Sequence, residues 1–176
     1  MSDPFATLGI DARFEIDMQK VEQRHRDLSR ALHPDKYSGA PAAERRLALG
    51  KAIEVNEAFR LMRDPIRRAE ALMRRAGVSV GETEEPKASP ALLMDMMESR
   101  EELAEAARKK DAAAIARLGE GMRAREQETL GALGAGFDAA GGDPKKLAGL
   151  LPKLGELRYM RRFLDEVSAL EEELLF

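Results

Sequence analysis

Few side chains in this sequence could act as nucleophiles or metal ligands. It contains no cysteine, which excludes disulfides, thiolate metal sites and a cysteine nucleophile. His25 and His33 are the only histidines, too few to build a zinc site from protein ligands. Aspartate and glutamate are plentiful, but no nucleophile is paired with an oriented base, which disfavours a hydrolase. We therefore expect a protein that is not an enzyme, with no metal site and no cofactor.

The tripeptide His33-Pro34-Asp35, followed by Lys36, combines polar groups with a residue that interrupts helices. Proline lacks an N–H group and has a fixed φ, so a helix that reaches this point must end. The side chains of His33 and Asp35 are then held in a loop, where we expect them to face a partner protein rather than each other. The chemistry expected here is recognition, and it requires no substrate.

Two long helices are predicted on either side of this loop. Asp17 precedes apolar positions spaced three and four apart, which predicts a capped amphipathic helix over residues 18–32. A second helix is predicted from about Pro41 to Met62, and Asp64-Pro65 predicts a shorter one that ends near Ala76. The residues expected on the buried sides, with an apolar turn that precedes them, are Phe5, Leu8, Ile10, Met18, Val21, His25, Leu28, Leu32, Leu47, Ala52, Ile53, Val55, Phe59 and Met62.

The helix over residues 18–32 is predicted to have a mostly basic outward face. Such a face could steer the protein toward an acidic patch on a partner, with association falling as salt rises. For any single residue, a plain solvated helix side remains the alternative. The residues placed opposite the apolar stripe are Lys20, Gln23, Arg26, Asp27 and Arg30, with Arg24 at its flank.

Residues 77–89 are polar and contain two glycines and one proline, which predicts a linker between two modules. Residues 1–78 carry 15 Lys and Arg against 12 Asp and Glu, a net charge of +3, whereas residues 79–176 carry 14 against 20, a net charge of −6. The opposite signs indicate two surfaces with different partners. In the second module, capping residues at Ser89, Asp111 and Asp143 predict three helices that end near Lys110, Leu133 and Leu174, hence a three-helix bundle.

The first helix of that bundle carries two apolar stripes although it has one core to fill. One stripe therefore needs a second explanation, and methionine with adjoining carboxylates suits an adaptable surface for a client with basic groups. Packing on the first module or on another bundle helix is the alternative. One stripe consists of Leu92, Met96, Leu103 and Ala107, and the other consists of Leu93, Met94 and Met97 with Glu98, Glu101 and Glu105.

The order of these motifs resembles a known family. An arginine-rich helix, the tripeptide with Lys36, and a helix that ends in Asn56-Glu57-Ala58-Phe59 before Asp64-Pro65 resemble the J-domain of the DnaJ class. With the segment from Leu92 to Leu103, the chain is similar over nearly its whole length to the HscB co-chaperones of iron-sulfur cluster assembly.

The resemblance implies a J-domain at 1–76, a linker at 77–89 and a client-binding domain at 90–176. It implies that the first domain stimulates the ATPase of an HscA-type seventy-kilodalton heat-shock chaperone, and that the second delivers the scaffold protein IscU. The chaperone-binding residues would be His33, Pro34, Asp35, Lys36, Lys20, Arg24, Arg26 and Arg30. The scaffold-binding residues would be Leu93, Met94, Met97, Glu98, Glu101, Glu105 and, on the last helix, Tyr159.

The composition favours an all-α protein, with 44% hydrophobic residues, 35% charged residues and few aromatics. Neither a signal peptide nor an apolar stretch long enough to span a membrane is found, so a cytoplasmic protein with no membrane partner is expected. The small basic excess lacks an aromatic platform, which disfavours nucleic acid. Two alternatives stay open: a general J-domain co-chaperone with a different client, and a helical adaptor that stimulates nothing.

Overall fold

The structure, a computed structural model, describes residues 3–81 and 90–174. Every regular element in these two stretches is a helix, and the chain divides into two compact units, Met1–Val78 and Ser79–Phe176. The first unit contains α1 (Pro4–Leu8), α2 (Met18–Ala31), a 3-10 turn (Pro34–Tyr37), α3 (Ala42–Arg63) and α4 (Pro65–Arg75). The second unit contains α5 (Pro90–Arg108), α6 (Ala112–Ala140), α7 (Pro144–Ala148) and α8 (Leu151–Leu174).

Aspartate side chains begin several of these helices. The Asp17 carboxylate accepts hydrogen bonds from two backbone N–H groups of α2, at 3.1 and 3.2 Å. Asp64, Asp111 and Asp143 cap α4, α6 and α7 in the same manner. Each bond satisfies a donor that the first turn of a helix leaves without an intrahelical partner. The starts predicted at these four aspartates are confirmed, whereas Ser89, the cap expected for α5, lies outside the described residues.

In the first unit, α1 and α2 pack against α3. Phe5 and Leu8 of α1 are fully buried, as the apolar turn before the helices predicts. The helix α4 ends as expected near Gly77, whose φ of 79° is a left-handed conformation that glycine adopts without strain. The buried cluster of this unit consists of Phe5, Leu8, Val21, Val55, Ala58 and Met62.

A buried arginine joins α3 to α4. The Arg68 guanidinium donates a hydrogen bond of 2.6 Å to the Met62 carbonyl, in the last turn of α3 where carbonyl groups lack helical partners. It also lies 5.1 Å from the centre of the Phe14 ring. Burial lowers the pKa of Arg68, and the carboxylates of Glu15 and Asp64 oppose that shift. Arg68 therefore acts as a polar anchor at the junction of the two helices.

Two residues predicted on the buried side of α3 are exposed instead. Leu47 and Ile53 are each 61% exposed, and the buried side of α3 carries Ala48, Val55, Ala58 and Met62. The prediction was wrong because α3 has apolar residues around much of its circumference, so their spacing alone does not select one side. The small side chains at positions 48 and 58 leave room for the neighbouring helices to approach.

In the second unit, α5 runs antiparallel to α6, and α6 runs antiparallel to α8. The Asp95 carboxylate pairs with Arg125 across the first two helices. A methyl group at Gly119 of α6 would lie 2.9 Å from a Val167 methyl of α8, so the absence of a side chain allows the two helices to approach closely. The core of this unit includes Leu92, Met96, Leu103, Ile115, Met122, Leu133, Leu154, Leu157, Met160, Phe163 and Val167.

Two predicted helix boundaries in this unit were wrong. Helix α6 continues past Leu133 to Ala140, so the glycines in its second half do not end it. It ends where Gly141 adopts a φ of 55°. The single helix predicted from Pro144 to Leu174 is two helices, α7 and α8. Pro152 has no N–H group for the carbonyl of Ala148, so one continuous helix through this point would lack a hydrogen bond.

Candidate functional site

The His33–Asp35 tripeptide begins the 3-10 turn between α2 and α3, with His33 as its cap. Pro34 is its first residue, and the His33 ring nitrogen Nδ1 accepts a hydrogen bond of 3.3 Å from the Asp35 N–H. The Ser38 hydroxyl closes the far side by donating to the Asp35 carbonyl at 3.0 Å. The turn is thus built by backbone groups and the imidazole, which leaves the Asp35 carboxylate outside its hydrogen bonding.

Both polar side chains of this turn are exposed, His33 at 59% and Asp35 at 90%. They were expected to face a partner rather than each other, and they are open to solvent, but His33 Nδ1 also lies 3.5 Å from a carboxylate oxygen of Asp35. The compact turn brings the two side chains together, and they form one polar surface open to solvent.

The predicted chaperone-binding cations of α2 are all exposed, but they have different local partners. Lys20 lies 3.4 Å from the Asp17 carboxylate, and Arg26 receives support from Glu22 at 3.8 Å. Arg24 donates a hydrogen bond of 3.3 Å to the Leu8 carbonyl, which ties α2 to the end of α1. Its role is therefore at least partly structural.

His25 holds α2 against α3 and so positions the turn. Its ring stacks on Phe59 with centroids 4.1 Å apart and planes 10° apart. Its Nε2 atom lies 2.9 Å from the Asn56 side-chain oxygen. His25 is half-buried rather than enclosed, and it packs as the sequence predicts. The role of Asn56 was missed, although a polar residue opposite a packed histidine is the signal that could have identified it.

In the second unit, α5 buries one apolar stripe and exposes the other. Leu92, Met96 and Leu103 are buried. Ala106 is buried in place of the expected Ala107, which is half-buried. On the other stripe, Leu93 is 41% exposed, Met94 64% and Met97 62%. The exposed stripe thus takes no part in closing the core of its own unit.

Acidic side chains adjoin the exposed stripe. Glu98, Glu101 and Glu105 are all exposed along α5. The Lys109 ammonium donates a hydrogen bond of 2.6 Å to Glu105, which lowers the pKa of that carboxyl group. The surface therefore combines flexible apolar side chains with carboxylates, a pairing that fits a partner with apolar and basic groups.

The register of α5 and α8 relates Tyr159 to this stripe. The two helices run parallel, and the Arg100 guanidinium pairs with the Glu166 carboxylate at 3.0 Å. Leu93 and Tyr159 each lie seven residues before a member of that pair, which is two helical turns, or roughly 10 Å, on the same side of each helix. Tyr159 is therefore level with Leu93, and it is half-buried.

Within residues 3–81 and 90–174, no three His, Cys, Asp or Glu side chains come together in a way that could hold a metal ion. None of the helices in these stretches is both long enough and apolar enough to cross a membrane. Neither of the two exposed surfaces brings a nucleophile to an oriented base.

Comparison with known proteins assigns both units to one family. A family model for the HSCB C-terminal oligomerisation domain matches residues 88–168. A co-chaperone protein HscB homolog from Bordetella parapertussis is 39% identical over 170 residues, which is 95% of each chain. Another, from Cupriavidus taiwanensis, is 35% identical over 152 residues, or 86% of this chain and 85% of that relative.

Solved structures show the same architecture. Chaperone HscB from Vibrio cholerae superposes with a TM-score of 0.86 at 25% identity, and the match covers 98% of this chain and 99% of the other. Human co-chaperone protein HscB has the same fold, with a TM-score of 0.85 at 22% identity over 96% of this chain and 82% of the human one. The chain belongs to the HscB family of co-chaperones, and its J-domain precedes a helical C-terminal domain.

Proposed function

We propose that this HscB-family co-chaperone acts in iron-sulfur cluster assembly. The His33–Asp35 turn and the basic face of α2 bind an HscA-type seventy-kilodalton chaperone and stimulate its ATPase. The exposed stripe of α5, with Tyr159 of α8, binds the scaffold protein IscU and delivers it to that chaperone. In this proposal residues 1–76 act as the J-domain, 77–89 as the linker and 90–176 as the scaffold-binding domain, and the protein works in the cytoplasm.

The observation that carries the proposal is the chemical contrast between two exposed surfaces on one chain. The turn presents His33 and Asp35 beside cations of α2, and α5 presents Leu93, Met94 and Met97 beside carboxylates. Two surfaces of opposite charge suit two different partners, which is what a delivery factor requires. Neither surface is used by the core of its own unit.

The mechanism is bivalent delivery. The second unit holds the scaffold while the first unit binds the chaperone in its ATP state. Because one chain joins the two units, scaffold binding raises the effective concentration of client at the chaperone without any new contact. Stimulated hydrolysis then traps the client, and the co-chaperone is free to act again.

The test is a steady-state ATPase assay of the HscA-type chaperone, with and without this protein and with and without IscU. Stimulation by each factor alone that multiplies when both are present supports the proposal. If this protein stimulates the ATPase equally with and without IscU, the chaperone is its partner but the client is a different protein. Binding to unrelated unfolded proteins as tight as to IscU would identify a general co-chaperone. No stimulation in any combination contradicts the proposal and leaves a helical adaptor.

A further inference from the structure

Helix α3 exposes an apolar pair that the core of the first unit does not use. Leu49 is 57% exposed and Ile53 is 61% exposed. One turn apart, they lie about 40° from each other around the helix, and Ile53 lies nearly opposite the buried side. Single exposed apolar side chains are ordinary. Two exposed apolar side chains on the same side of one helix need an explanation.

The register of α2 and α3 places this pair beside the turn. His25 contacts Asn56 and Phe59, and the helices run antiparallel. Arg30 lies five residues from His25 in the direction of the turn. It is therefore level with about residues 51–54 of α3. Ile53 is thus level with Arg30, and Leu49, one turn farther along, is level with the His33–Asp35 turn.

Leu49 faces the side of α3 that α2 occupies elsewhere. It lies two turns before Asn56, on the same side of α3, and Asn56 is the residue that contacts α2. Helix α2 ends at Ala31, before it reaches the level of Leu49. The side chain of Leu49 therefore stands in the open space beside the turn, where a protein that approaches His33 and Asp35 would meet it.

The charges around the pair match those of the α2 face. Arg46 and Arg60 lie seven residues before and after Ile53, so both are on its strip, and both are exposed. Arg60 is only loosely paired, with Glu57 at 3.9 Å. Glu57 also lies on this strip, between Ile53 and Arg60, so the two cations leave the strip with a net positive charge. An apolar centre with this positive border fits a partner surface on which apolar side chains are bordered by carboxylates. The basic face of α2 requires an acidic partner as well.

Gly50 lies between Leu49 and Ile53 in the interior of α3. A methyl group built on it would meet nothing within 4 Å, so no contact within the chain excludes a side chain there. Glycine is less favourable than alanine inside a helix. The bare backbone beside the apolar pair is what a closely approaching partner would need.

We propose that Leu49 and Ile53 make an apolar contact with the same ATPase chaperone that the His33–Asp35 turn engages, with the chaperone approaching the helix closely at Gly50. This extension rests on the proposed function, because the occupant it names is the chaperone stimulated by the turn. The docking surface then consists of the turn, the basic face of α2 and this strip of α3.

The test measures how much full-length protein gives half-maximal stimulation of the purified HscA-type ATPase. For the double variant Leu49→Ser with Ile53→Ser we expect an increase of about tenfold, because an apolar contact is lost at an interface. The matched control is Leu47→Ser, an equally exposed leucine on the same helix that lies about 160° from Leu49. This control should stay within about twofold of the unaltered protein.

Gly50→Ala separates docking from folding. It should raise the thermal midpoint, since alanine favours the helix, and it should also raise the concentration for half-maximal stimulation. Unaltered docking by both Gly50→Ala and the serine double variant overturns the inference, while stimulation by the unaltered protein leaves the proposed function standing. If the unaltered protein stimulates no better than Asp35→Asn, the proposed function fails and this inference fails with it.

A second copy of the chain is the rival occupant, and sedimentation across a range of concentrations distinguishes it. A protein that stays monomeric with and without the serine substitutions supports the chaperone as occupant. A dimer that the double variant dissociates, and Leu47→Ser does not, assigns the strip to self-association and overturns the inference.

Discussion

In the first unit the exposed side chains proposed to bind a partner stand on a short turn, whereas in the second they lie along a regular helix. The turn is held by its own hydrogen bonds, from the Asp35 N–H to His33 and from Ser38 to the Asp35 carbonyl. The stripe of α5 depends instead on the burial of the opposite side of the same helix, at Leu92, Met96 and Leu103.

This difference shows that a binding surface and a core compete for residues on α5 but not on the turn. On the turn, polar side chains can change without disturbing a core, so recognition and stability are separable. On α5, residues 96 and 97 are neighbours in sequence, yet Met96 is buried and Met97 is 62% exposed. The direction of each side chain from the helix axis decides whether a methionine packs in the core or faces solvent.

The largest effect is expected at the turn. Asp35→Asn should abolish ATPase stimulation, because it removes the charge while the backbone bonds of the turn remain. Scaffold affinity should stay within about twofold, since the stripe lies on the other unit. Asp11→Asn is the matched control, as Asp11 is also an exposed aspartate of the first unit. Normal stimulation by the Asp35 variant would contradict the role given to the turn.

The second-largest effect is expected on the exposed stripe of α5. Leu93→Ser with Met97→Ser should weaken IscU binding by about a hundredfold, measured by calorimetry, because two apolar side chains leave the interface. The thermal midpoint should hardly change, since both positions are exposed.

Met96→Ser is the neighbouring comparison. Its side chain is buried, so we expect the free energy of unfolding to fall by about 3 kcal/mol, with IscU binding retained below the melting temperature. Equal losses of binding from Met96→Ser and Met97→Ser, with no loss of stability, would remove the distinction between the two stripes.

A smaller effect separates two glycines of α6. A methyl group at Gly119 would lie 2.9 Å from Val167, whose branched side chain has little freedom to move, so Gly119→Ala should destabilise the second unit by about 1–2 kcal/mol. At Gly121 nothing lies within 4 Å, so Gly121→Ala should stabilise it by about 0.5–1 kcal/mol. Urea unfolding of both variants measures the difference, and a shift in the same direction for both would contradict the close packing of α6 on α8.

The smallest effect is a dependence on pH at the start of α2. The hydrogen bond from the Lys20 N–H lowers the pKa of Asp17 below its ordinary value of 3.8. A lowered acid pKa stabilises the fold above pH 3.8, and that contribution is lost as the pH falls through the lowered value. Asp17→Asn keeps a cap but cannot titrate, so its deficit in thermal midpoint at neutral pH should disappear once the pH has fallen below the lowered pKa of Asp17. A deficit of constant size throughout an acid titration would show that the carboxylate charge is not its source.

Local signals in the sequence predict much of the fold. An aspartate before a proline or an apolar run is read correctly at positions 17, 64, 111 and 143, because capping depends on residues within one turn. Leu47 and Ile53 were misplaced because the buried side of α3 depends on which helices pack against it. The break between α7 and α8 was missed although Pro152 signals it.

The candidate sites also combine features that local signals predict with features that depend on tertiary packing. The order of His33, Pro34 and Asp35 predicts a turn, but the 3.5 Å approach of the two side chains depends on a 3-10 geometry that the sequence does not reveal. The level of Tyr159 beside Leu93 follows from the Arg100–Glu166 pair between helices separated by a long stretch of chain. Such a register is a tertiary property, which the period of one helix cannot supply.

The length of α6 has a consequence for local opening. The Asp95–Arg125 pair sets α5 beside the first part of α6, so that Pro90 is level with about residue 130. The last ten residues of α6 extend roughly 15 Å farther, where α7, with its buried Leu147, takes the place of a full third helix. With less apolar cover, amide hydrogens of residues 131–140 will exchange with deuterium faster than those of residues 112–130. The far end of α6 thus opens more readily than the part that lies beside α5 and its exposed stripe.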